Sequence, residues 1–108
     1  MRLREEEVAK QFEQRFEELS REHKSILATR KNSDPGARLN LSSVDTTLLL
    51  GWKVKAKNLL ERSCGVSSAH YVAFDEVAAE STLNSFNHCA RLGAVFAAAK
   101  EDYEGGYL

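Results

Sequence analysis

The chain has 108 residues, 43% of them apolar, with 15 Lys and Arg against 16 Asp and Glu for a formal net charge of −1. That length suits one small domain, and the apolar content is too high for a disordered tail. The balanced charge argues against a dedicated nucleic-acid binder, no apolar run approaches the roughly 18 residues that span a bilayer, and the opening Met1-Arg2-Leu3-Arg4 has no apolar signal region.

The first predicted element is a helix over about 4–30, a stretch without Pro or Gly. Its positions Phe12, Phe16, Leu19, His23 and Ile26 alternate steps of four and three, which keeps them on one face, with Val8 and Leu27 as further apolar positions. Glu5, Glu6 and Glu7 sit in the first turns and Lys24 and Arg30 near the end, as the helix macrodipole favours. Asp34-Pro35-Gly36 then reads as a turn, because Pro presets φ and Gly permits φ > 0.

A second helix is expected over about 44–64, with Ser43 as N-cap, Asp45 in the first turn and Leu48, Leu49, Trp52, Ala56, Leu59 and Leu60 recurring at helical spacing. Gly51 interrupts it and suggests a close neighbouring helix, and Gly65 suits the C-terminal end. Ser67-Ser68 can cap a third helix of about ten residues, in which Tyr71, Phe74 and Val77 share a face. The last helix begins near Asn84, carries Phe86, Cys89, Leu92, Phe96 and a run of small residues including Gly93, and ends at Gly105-Gly106. No alternating strand pattern stands out. The fold class is therefore all-α: one domain over 1–108, an antiparallel bundle of three long helices and one short helix. The first helix is longer than the others, so its N-terminal part is expected to project or to pair with another chain.

The titratable residues supply no catalytic set. His23 lies on the apolar stripe, His70 at a helix start, and His88 beside Cys89, where neighbouring positions diverge by about 100° and do not make one metal site. Two cysteines without CxxC spacing suit a reducing, cytoplasmic setting, and no compact ligand spacing implies a metal; no cofactor is expected. Arg15 to His23 and Arg62 to His70 are both spaced more widely than the Arg-x4-6-His arrangement of helical ribonucleases. The carboxylate pairs Glu17-Glu18 and Asp75-Glu76 are adjacent and diverge, and there is no Gly-rich phosphate loop.

Charge is unevenly placed. Residues 31–66 are basic and 67–108 acidic. Lys53, Lys55, Lys57 and Arg62 make the second helix a candidate phosphate-contacting or acid-binding face.

Two stretches carry a resemblance: Trp52 through Leu59-Leu60, Gly65, Ser67, His70-Tyr71 and Phe74, and the tail Asp102-Tyr103-Glu104-Gly105-Gly106-Tyr107-Leu108. Together they resemble the N-terminal helical module of uncharacterised bacterial proteins, some associated with phage defence. In those proteins a similar tail leads into a C-terminal domain like the HEPN (higher eukaryotes and prokaryotes nucleotide-binding) bundles. The resemblance implies that the chain is the front module of a longer protein, with any ribonuclease motif beyond Leu108.

The expected function is a non-catalytic interaction or oligomerisation module using Phe12, Phe16, Leu19 and His23. Its partner would be a second copy or its own downstream domain, and no membrane is implied. The alternatives are nucleic-acid binding through Lys53, Lys55, Lys57 and Arg62, or a part in a HEPN-type ribonuclease.

Overall fold

A computed structural model describes residues 3–32, 42–80 and 84–106 of the chain, with side chains from Glu7 onward. The Asp34-Pro35-Gly36 turn and the end of the tail, Tyr107-Leu108, lie outside the described residues. Four helices follow in order: α1 (Leu3–Leu27), α2 (Thr46–Cys64), α3 (Ala69–Ala79) and α4 (Ser85–Glu104). They form the all-α antiparallel bundle expected. α2 and α4 each touch the three other helices, and α1 and α3 flank that pair.

The antiparallel order is legible in single contacts. Tyr103 near the end of α4 donates its hydroxyl to the Ala9 carbonyl near the start of α1, while His23 near the end of α1 bonds Cys89 near the start of α4. His70 with Asp102 and Arg91 with Glu80 clamp α3 to α4 at their opposite ends.

Trp52 is the centre of the core. It is fully buried, and its indole Nε1 donates to the Leu19 carbonyl at 2.8 Å. His23, Phe74 and Phe96 stand around it with ring centroids 4.9, 5.9 and 5.4 Å away. A second aromatic layer joins Phe16 to Phe96 and Tyr103, both at 5.3 Å. A large side chain withdrawn this fully from water stabilises the fold by about 1.5–3 kcal/mol.

The helix ends follow side-chain chemistry, with two departures from expectation. α2 is capped by Asp45, whose carboxylate accepts from the Thr47 and Leu48 backbone N–H groups, and not by Ser43. Ser43 instead lies in a two-residue strand, β2 (Ser42–Ser43), antiparallel to β1 (Lys31–Asn32). These two short strands, which carry no alternating pattern, also end α1 at Leu27, three residues before the expected limit. There the Thr29 hydroxyl donates to the Ile26 carbonyl and accepts from the Asp45 N–H, tying the end of α1 to the cap of α2.

The other caps fall where expected. Ser68 accepts from Tyr71 N–H, Asn84 from Asn87 N–H, and Gly65 closes α2 with φ +90°, which L side chains avoid. The role suggested for Gly51 does not hold among the described residues: none approaches within 4 Å of where its β-carbon would stand. The close approach occurs at Gly93, against the His23 ring.

Candidate functional site

The apolar stripe of α1 divides along its length. Phe16 and Leu19 are 1% and 0% exposed inside the chain's own core. A side chain surrounded by its own fold presents no surface in this state, so the two residues serve the core here. His23 is half-buried, its ring tilted at 46° against Trp52, with Nε2 donating to the Cys89 carbonyl at 2.8 Å. It is a packing residue. Phe12 keeps a partly open phenyl ring, edge-on to Tyr103 at 6.1 Å.

The four basic residues of α2 are not gathered into one patch. Lys53 turns toward α3 and α4, donating to the Ala78 carbonyl at 3.1 Å and to His88 Nε2 at 3.2 Å. Lys57 pairs with Asp75 at 2.8 Å, and that hydrogen-bonded carboxylate raises the lysine pKa. Lys55 turns the other way, to Glu22 on α1, with both carboxylate oxygens within 3.1 Å. Arg62 is exposed on the same side as Lys55. Helical geometry explains the split, because side chains two residues apart point to nearly opposite sides.

Two of the concave features are lined by these basic residues. The first is a groove of about 290 Å³ between α1 and α2. Val8, Phe12 and Leu59 give it an apolar floor, and Arg15, Lys55 and Arg62 a cationic rim. Arg15 and Lys55 are partly neutralised by Glu18 and Glu22. Arg15 escaped the sequence reading of this surface; its only sequence signal is its i+3 relation to Phe12 on one face of α1.

The second is an open cleft of about 490 Å³ at the other end of α2, lined by Thr46, Thr47, Leu49, Lys53, Ser85 and His88 among others. His88 is 6% exposed. Its burial, and next the Lys53 ammonium, hold its pKa below the usual histidine value. The neutral ring accepts from Lys53 at Nε2, so its proton sits on Nδ1, a buried atom without a hydrogen-bond partner among the described residues. No local spacing signals this pairing, because Lys53 and His88 are separated by a whole helix.

Neither wide Arg–His pair forms a site: His70 bonds Asp102 at 2.7 Å, and His23 is occupied as described. Cys64 and Cys89 are free thiols, and among the described residues no three His, Cys, Asp or Glu side chains converge as metal ligands would. No helix among those residues is long and apolar enough to cross a membrane. Comparison with protein-family models, curated proteins and solved structures finds no significant match.

Proposed function

We propose that this chain is a non-catalytic helical interaction and oligomerisation module that docks a protein partner in the α1–α2 groove. The observation that carries this reading is the placement of Phe12. Its phenyl ring is left partly open, in a groove whose rim supplies Arg15, Lys55 and Arg62. An aromatic floor with arginines at its edge is a composition that protein interfaces favour. The α3–α4 half of a second copy offers complementary charge, since residues 67–108 hold more acids than bases. The resemblance to bacterial modules that precede HEPN-like domains extends the reading to an accessory role in a cytoplasmic, phage-defence protein. Nucleic acid fits the groove less well, because Glu18 and Glu22 already offset two of its three cations.

Sedimentation equilibrium up to high micromolar concentration tests it. Reversible self-association is expected, weakened by Arg62→Glu and Phe12→Ser while far-UV circular dichroism stays unchanged. A strict monomer, or association indifferent to both changes, overturns oligomerisation through this groove.

A further inference from the structure

We propose that the cleft between the N-terminal half of α2, the end of α3 and the start of α4 binds a small oxyanion, a carboxylate or phosphate group, on the Lys53 ammonium. This is a second site, independent of the α1–α2 groove.

The charge on Lys53 is anchored but not neutralised. Two of its three ammonium protons are directed to the Ala78 carbonyl and to His88 Nε2, which among the described residues leaves one for a ligand. Lys55, Lys57 and Lys100 each pair with a carboxylate, at 2.9, 2.8 and 2.6 Å. Lys53 has no carboxylate within 4.0 Å among the described residues. The acid that lines the cleft, Glu80, is held by two guanidinium nitrogens of Arg91.

The remaining wall supplies donors. The Ser85 oxygen accepts from the Val44 N–H, so its own proton is left to donate, and Thr46 and Thr47 add two hydroxyls. Leu49 and Leu50 give an apolar flank for a short alkyl group. The cavity, about 490 Å³, has the size of a small-molecule site.

His88 explains how the lysine is held. An apolar side chain would fill this more than nine-tenths buried position without leaving Nδ1 unsatisfied. What the imidazole adds is an acceptor that fixes the ammonium at the cleft wall. The charged groups acting on it are Lys53 from α2, Glu80 just past α3 and Arg91 on its own helix. A bound anion next to Lys53 offsets the nearest positive charge and makes the ring easier to protonate.

The test is an NMR titration of the full chain with inorganic phosphate, acetate and butyrate in separate arms, at constant ionic strength in chloride. Saturable shifts are expected at Thr46, Thr47, Lys53, Ser85 and His88, with the His88 titration midpoint moving to higher pH. Lys53→Met should weaken binding by about tenfold or more. Saturation by phosphate alone assigns a phosphate ligand. Saturation by the carboxylates, butyrate binding more tightly than acetate, assigns an alkyl carboxylate. The proposal is overturned by any of three results: no saturable shift in any arm, a His88 midpoint unmoved by saturating ligand, or equal binding by folded Lys53→Met. The midpoint is read on the wild-type chain, so the test stands even if that variant fails to fold.

Discussion

The imidazole of His23 occupies the space that a β-carbon on Gly93 would need. An ideal β-carbon there would lie 2.9 Å from His23 Nδ1 and closer still to Cε1 and Nε2. The ring cannot swing aside cheaply, because it packs against Trp52 and is bonded to the Cys89 carbonyl.

Gly93→Ala should therefore destabilise the fold by about 1–3 kcal/mol, although Ala is the better helix former by about 1 kcal/mol. Urea denaturation measures it. Combining Gly93→Ala with His23→Ala should cost less than the sum of the two single changes, since the truncated ring no longer meets the new methyl.

Asp45, and not Ser43, holds the first turn of α2. Asp45→Ala should lower stability by about 0.5–2 kcal/mol, the ordinary range for a lost N-cap. Ser43→Ala, at an exposed strand position, should change it by less than about 0.5 kcal/mol. Thermal unfolding of the two variants side by side separates the assignments.

The lowered pKa of His88 has a definite sign in stability. Unfolded, the ring takes up a proton near the ordinary histidine pKa of about 6.5; folded, burial and Lys53 delay that uptake to lower pH. Between those two values the unfolded state binds more protons. The contribution of His88 is thus complete above about pH 6.5 and is lost as pH falls through the folded value. Chemical denaturation across this window should show stability rising with pH, and His88→Gln should flatten that part of the profile.

The two cysteines should differ in reactivity. Burial pushes the Cys89 thiol up to about 11, so almost no thiolate exists at pH 8, and the side chain is 0% exposed. Cys64 is only half-buried. A thiol reagent at pH 8 should label one cysteine in the native protein and both in denaturant. Cys64→Ser should abolish the native reaction.

Local chemistry made much of the fold legible. Phe12, Phe16, Leu19, His23 and Ile26 mark α1 through their spacing, and Gly65, Ser68, Asn84 and Gly105 mark helix ends through backbone and capping preferences. The short strands at Lys31–Asn32 and Ser42–Ser43 left no such mark, because two residues are too few to establish an alternation. The Ser43 assignment failed for a related reason. Several polar residues precede α2, and which one caps it depends on where the chain arrives after crossing from α1, a route that Thr29 fixes by bonding Asp45.

Sequence periodicity alone determined that this chain forms four amphipathic helices, because the pattern that buries a stripe acts within each helix. It could not determine what each stripe faces. Tertiary structure decided that Phe16 and Leu19 turn inward, that Lys53 and Lys55 part company across α2, and that Lys53 meets His88. Those outcomes depend on which helices become neighbours, a relation between residues tens of positions apart that no local spacing encodes.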